Sequence, residues 1–290
     1  MDQSTALVLL AKWPGGGRCK TRLASKLRPL CAGDDQVQSV VERFVRSSTL
    51  DLVERLSAAG DCRCVLLYAP PIDEARDYFA DLLAEAWPGQ ESAPRWQLLP
   101  VLSKSDAASS NLGAILADAA LRARAACGCG RVAFMGADCP ELPLRSIRAA
   151  SDAAAEPRVA AICPAADGGY TLLVLPEGAD EQLCFAGVNW SAPDTCVSQL
   201  AALTRAGLRC AVLDTYADVD ELEDLQALTG RLLGSSPTED GAVCSAVCGA
   251  ARGPCKENHE QSDDAPCPRT RRLLAELLQE LPALRTVPLI

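Results

Sequence analysis

The 290-residue sequence predicts a three-layer α/β/α domain built on a mostly parallel sheet, from three observations. Apolar runs of strand length recur along the chain. Longer stretches with helical spacing lie between most of them. Polar motifs follow or flank the strand-like runs. Strand–helix–strand alternation implies crossover connections, hence a parallel sheet covered on both faces. In such sheets ligands bind beyond the carboxyl ends of the strands. The 49% hydrophobic content supports a sizeable core, with one large domain or two small ones.

The first strand is predicted at 6–11, ahead of a glycine-rich stretch. The first long helix follows over 37–60, with Val37, Val40, Val41, Phe44 and Val45 on one face and Leu52, Val53 and Leu56 further on. Strands are then expected at 64–69, 97–101, 131–136, 160–164, 170–175 and 209–213. Helical spacing recurs at 112–126, 143–155 and 194–206. Asp220 is placed to cap a helix from Glu221 that turns Leu222 and Leu225 inward. Residues 235–268 are rich in Ser, Gly, Pro, Asp and Cys and lack periodicity, which predicts a disordered insert or linker. Leu273, Leu274, Leu277, Leu278 and Leu281 restore helical spacing. The expected organisation is a domain over 1–234, an insert over 235–268, and a C-terminal helix and tail over 269–290, with all of 235–290 dispensable for chemistry.

The net charge of -10 and pI of about 4.7 argue against non-specific nucleic-acid binding. No apolar stretch approaches the ~18 residues of a membrane helix, and no targeting pattern precedes the first strand, so the expected location is cytoplasmic. The 15 cysteines are odd in number, and several fall inside predicted strands, so reduced thiols are expected. The lone histidine, His259, lies in the insert, which excludes a Ser-His-Asp triad in the body. Cys244, Cys248, Cys255, His259 and Cys267 lack the paired spacing of common zinc sites.

The stretch KWPGGGRCKTRLAS, residues 12–25, ends the first strand in glycines and cations. It is not a P-loop, because Cys19 and Pro14 stand where that motif needs glycine, and it lacks the third glycine of a dinucleotide fingerprint. What remains is a turn in which Gly15, Gly16 and Gly17 allow close backbone approach, with Arg18, Lys20 and Arg22 available to phosphate oxygens. The alternative is a flexible loop with a solvated basic cluster.

Asp138 follows the run VAFMGA, where a carboxylate at a strand end can hold Mg²⁺ or Mn²⁺ against a diphosphate; otherwise it caps the turn before Pro140. Asp167, Gly168, Gly169 and Tyr170 form either a binding turn or an ordinary hairpin turn. Asp218 or Asp220 supplies a second metal ligand opposite Asp138. Asn189, Trp190 and Ser191 make a rim contact.

Five motifs in order, LLAKWPGGGRCKTRLAS, GADCPELP, ADGGYTLL, NWSAPD and DVDELEDL, resemble the DUF2064 proteins over roughly residues 5–233. These are glycosyltransferase-A-like transferases linked to arsenosugar biosynthesis, within the nucleotide-diphospho-sugar transferase superfamily. The resemblance implies that fold and a nucleotide-phosphate loop of Gly15, Gly16, Gly17, Arg18, Lys20 and Arg22. It also implies metal ligands Asp138 and Asp220, with Gly168, Gly169, Tyr170, Trp190 and Ser191 on the acceptor side. Lys20, Asp138 and Asp167 are the candidates for the chemical step. The implied partners are a nucleotide or nucleotide-sugar and a small-molecule acceptor, with Mg²⁺ or Mn²⁺ as cofactor. The chain departs from the family at Asn111-Leu112-Gly113-Ala114-Ile115, where Asp-Leu-Gly-Glu-Arg is usual, and at Glu221-Leu222, where Thr-Pro is usual. Glycosyl transfer is the expected reaction. Nucleotidyl transfer, which a similar Lys-[Ser/Thr]-Arg-Leu opening in 2-phospholactate guanylyltransferase suggests, and a non-catalytic nucleotide-binding role are the alternatives.

Overall fold

The computed structural model describes residues 5–58, 63–86, 96–102, 112–234 and 267–285. In chain order the elements are β1 (Thr5–Lys12), α1 (Thr21–Leu27), α2 (Asp34–Ala58), β2 (Arg63–Ala69), α3 (Asp73–Ala86), β3 (Trp96–Pro100), α4 (Leu112–Cys127), β4 (Arg131–Gly136), α5 (Leu144–Ala153), β5 (Val159–Pro164), β6 (Tyr170–Leu175), α6 (Glu181–Cys184), α7 (Thr195–Arg205), β7 (Arg209–Val212), α8 (Leu222–Gly234) and α9 (Pro268–Glu280). Every strand expected from the apolar runs is present. The expectation missed α1, α3 and α6. In α3 the buried Ala75, Phe79 and Leu82 do recur at helical spacing, but Asp73, Glu74, Arg76 and Asp77 dilute the pattern.

The seven strands form one sheet in the order β3-β2-β1-β4-β6-β5-β7. Only β6 runs antiparallel to its neighbours; the other pairings are parallel. Strand β1 is buried on both faces. Leu7, Leu9 and Ala11 join a core with α2, α3 and α5, while Ala6 and Val8 join one with α4, α6 and α7. That is why β1 reads as an unbroken apolar run rather than an alternating one.

A third apolar cluster lies outside the sheet. Leu273, Leu274 and Leu277 of α9 pack with Val40, Val41 and Phe44 of α2, Leu225 and Leu228 of α8, and Leu23 and Leu27 of α1. The Asp51 carboxylate accepts the backbone N–H groups of Arg269 at 3.0 Å and Thr270 at 2.8 Å, so α2 caps α9 across the chain. The C-terminal helix therefore shares the core of the body instead of standing apart from it. Among the described residues no helix is long and apolar enough to cross a membrane, and all described cysteines are free thiols.

Candidate functional site

The strand order changes direction at β1: β2 and β3 lie to one side, β4 to the other. Such a switch opens a crevice at the carboxyl ends of the two diverging strands. Lys12 ends β1, and Asp138 follows β4 by two residues. Because β6 is antiparallel to β4, the turn before Tyr170 reaches the same edge. Strand β7 is parallel to β5, so its exit returns there as well. The Val219 N–H donates to the Asp138 carbonyl at 3.1 Å, which pins the segment carrying Asp218 and Asp220 beside Asp138.

Lys20 stands at the centre. Its Nζ donates to Asp138 Oδ2 at 3.0 Å and to Asp220 Oδ1 at 2.6 Å. Arg22 takes the other oxygen of Asp220 at 2.5 Å and reaches Glu221 at 3.5 Å. Burial opposes the Lys20 charge, but the Asp138 and Asp220 carboxylates outweigh it and raise Lys20 above its ordinary value. Burial likewise favours neutral Asp138, yet Lys20 outweighs it and holds that carboxyl below the usual range. Among the described residues no cation lowers Asp218 in this way. Burial, with Asp138, Asp167 and Asp220 nearby, pushes it up to about 6.

Asp138, Asp218 and Asp220 each offer one oxygen, and those atoms lie within 4.8 Å of one another. An all-carboxylate donor set suits a hard divalent cation such as Mg²⁺ or Mn²⁺. Gly136 leaves the room this requires, since a Cβ there would sit 2.2 Å from Asp138 Oδ1. The expected capping role of Asp220 is not what the fold uses. Asp224 accepts the N–H groups of Asp220 and Glu221 at 3.0 and 2.8 Å, and helix α8 starts at Leu222, which leaves the Asp220 carboxylate for Lys20 and Arg22.

A cavity of about 990 Å³ adjoins the carboxylates. Asp138, Asp167, Asp218 and Asp220 line it, together with Gly169, Tyr170, Trp190 and Ser191. A smaller cavity of about 250 Å³, mostly apolar, lies between Lys12, Lys20 and Ile115. Lys12 and Leu112 border both. Gly15, Gly16, Gly17 and Arg18 form a turn whose residues line neither cavity, and Arg18 is exposed.

The Asp-Gly-Gly-Tyr segment is a hairpin turn between β5 and β6, closed by Asp167 Oδ1 accepting the Gly169 N–H at 2.8 Å. Gly168 has φ +92°, and a Cβ there would lie 1.9 Å from the Pro193 carbonyl oxygen. Glycine is therefore required for this turn to pack against the 189–195 loop. Within that loop Ser191 holds a positive φ of 57°, as Lys20 does at 48°, a conformation that side chains tolerate poorly. Tyr170 turns its hydroxyl inward to Gln199 Oε1 at 3.2 Å, and Trp190 packs near Phe185. Asn189 is tied within its own loop to Asp194.

Lys12 was not singled out from the sequence, although a cation ending the first strand marks the carboxyl edge. Asp218 was weighed only as an alternative to Asp220; the fold brings both to Asp138. Of the zinc candidates, Cys267 is buried and donates to the Pro140 carbonyl, and the other four lie outside the described residues. Ile115 and Leu112, at the family departure, face the smaller cavity; Asn111 lies outside the described residues.

Residues 52–192 match the family model described as "Uncharacterized protein conserved in bacteria (DUF2064)", a segment that includes Asp138, Asp167, Tyr170 and Trp190. Among curated protein sequences none matches this chain. A solved structure from Desulfovibrio desulfuricans G20, assigned as a nucleotide-diphospho-sugar transferase, is similar with a TM-score of 0.67 at 21% identity, covering 99% of this chain and 100% of its own. A cytidylyltransferase from Leptospira borgpetersenii serovar Hardjo-bovis (strain JB197) is similar with a TM-score of 0.50 at 13% identity, covering 98% of each chain. At these identities the likeness is one of fold. The matched segment agrees with the resemblance to the DUF2064 proteins that the ordered motifs carry, and those motifs gather along one sheet edge.

Proposed function

We propose that the protein is a divalent-metal-dependent glycosyltransferase that takes a nucleotide-diphospho-sugar donor and a small-molecule acceptor. The observation that carries this reading is the meeting of Lys20, Asp138 and Asp220 from three separate loops beside the 990 Å³ cavity. That volume lies at the upper end of the range for small-molecule sites. Asp138, Asp218 and Asp220 would hold Mg²⁺ or Mn²⁺, which supplies charge neutralisation to a departing diphosphate. Lys12, Lys20 and Arg22 add fixed positive charge to the same edge, where it stabilises charge that develops on the leaving group. Asp167, which lines the same cavity, would receive a proton from an acceptor hydroxyl. The exposed part of Trp190 and the loop at Ser191 bound the acceptor space.

Nucleotidyl transfer is the second reading, favoured by the Lys20-Thr21-Arg22-Leu23 opening. Both reactions use one cation clamp on phosphate; they differ in the bond that breaks. The test is a product assay on the whole chain with Mg²⁺ or Mn²⁺. Release of a nucleoside diphosphate from nucleotide-sugars supports glycosyl transfer, and release of pyrophosphate from nucleoside triphosphates supports nucleotidyl transfer. No turnover, together with no metal-dependent nucleotide binding, would overturn both.

A further inference from the structure

Lys20 occupies the position that a metal ion held by Asp138 and Asp220 would take. Its ammonium lies 3.0 Å from one carboxylate and 2.6 Å from the other. A magnesium-sized cation binds carboxylate oxygens at about 2.1 Å, so ion and ammonium cannot share those two oxygens. The placement of Lys20 is imposed by the fold. Lys20 begins α1 with φ 48°, its side chain is only 11% exposed, and fully buried Leu23 anchors the first turn behind it. The same side chain also borders the smaller cavity, whose other walls include Lys12. Lys20 therefore borders a second space, where phosphate oxygens of a bound ligand would replace the carboxylates as its partners.

We propose that Lys20 is a displaceable internal counter-ion, so that the site accepts a divalent cation and a diphosphate together but resists the cation alone. The proposal rests on the metal reading given above. A cation entering alone must evict a desolvated ammonium and leave it without a partner. A diphosphate entering alone must draw Lys20 away and leave half-buried Asp138 without its cation, with Asp220 held by Arg22 alone. When both enter, the exchange is balanced: the carboxylates keep a cation, and Lys20 gains phosphate oxygens. The two ligands then favour each other by the same factor in either order.

The decisive experiment measures two affinities of the full chain, with Lys20 and with Lys20→Met. The probes are Mn²⁺ alone and the Mn²⁺–pyrophosphate complex, followed by calorimetry. The substitution should tighten Mn²⁺ alone by tenfold or more and weaken the pyrophosphate complex by tenfold or more, the scale of one charge-assisted bond. Weakening of both would overturn the proposal and make Lys20 a support of the Asp138 loop. Mn²⁺ affinity unchanged by Asp138→Asn would instead overturn the metal reading itself, and the proposal with it. Should Lys20→Met fail to fold, the unaltered protein provides the test through acylation of Lys20 by an N-hydroxysuccinimide ester, mapped by mass spectrometry. Labelling should rise with near-saturating Mn²⁺ and fall again with pyrophosphate; labelling indifferent to Mn²⁺ overturns the proposal.

Discussion

Two long-range contacts hold this chain together in different ways. Lys20 meets Asp220 across 200 residues, and Thr270 meets Asp51 across 219. The first joins charges at a sheet edge where Asp138 and Asp220 keep 35% and 27% of their side-chain surface open. The second lies under an apolar seam in which Leu277 is fully buried. Charge pairing at this edge contributes little net stability, because the cost of desolvating Lys20 offsets much of the attraction. Apolar burial contributes a good deal. The edge is therefore where the protein can rearrange around a ligand, and the seam is what keeps the surrounding loops in place.

The largest effect should come from removing the seam. A chain ending at Gly234 loses Leu273, Leu274, Leu277 and Leu281, all at or under 4% exposure. At roughly 1.5–3 kcal/mol for each buried side chain, the loss rivals a whole domain's stability of about 5–15 kcal/mol. The shortened chain should be unfolded or aggregated by circular dichroism and size exclusion; a cooperative melt at the parental temperature would show that the seam contributes nothing.

At the edge, Asp138→Asn should leave the fold standing and remove the metal response. Nucleotide affinity should gain tenfold or more from Mn²⁺ in the parent and show no gain in the variant. An undiminished Mn²⁺ effect would exclude Asp138 as the ligand.

Gly168→Ala tests whether the acceptor-side loops depend on one backbone geometry. With φ +92° and the Pro193 carbonyl in the way, the substitution should cost about 2 kcal/mol or more, read as a lower urea midpoint. An unchanged midpoint would mean that the two loops pack independently.

The smallest effect concerns pH. Asp138 titrates below its ordinary 3.8 in the folded chain, so folding releases its proton and its contribution is lost as pH falls through the folded value. Lys20 titrates above its ordinary 10.5, so its contribution is complete below that pH and is lost as pH rises through the folded value. The stability difference between the parent and Lys20→Met should be largest in mildly alkaline solution, shrink as pH falls and the variant's uncompensated carboxylates take up protons, and shrink again as pH rises through the folded value of Lys20. A difference that does not change with pH would assign the contribution to packing instead of charge.

Much of this fold was legible in residue order. The seven strands follow from apolar runs, the inner ones buried on both faces, and α9 follows from five leucines at helical spacing. Helix α3 was not legible, because four charged residues near its start mask a narrow buried stripe. Asp220 read as a helix cap, since an acid just before a helix usually is one, and only the fold reveals that Asp224 does that work. Tyr170 read as part of a binding turn or a hairpin turn, while its hydroxyl is turned toward Gln199, 29 residues on.

The sequence by itself determined the layered α/β class, the strand end that carries Asp138, and the glycine turns, because backbone preference and apolar periodicity act between near neighbours. Tertiary structure alone decided that Lys20 sits between Asp138 and Asp220, and that α9 closes over α2. Both depend on which strand ends share an edge and which helix faces share a core. Parallel crossovers set those relations through packing between segments 100 residues or more apart, which local spacing does not encode.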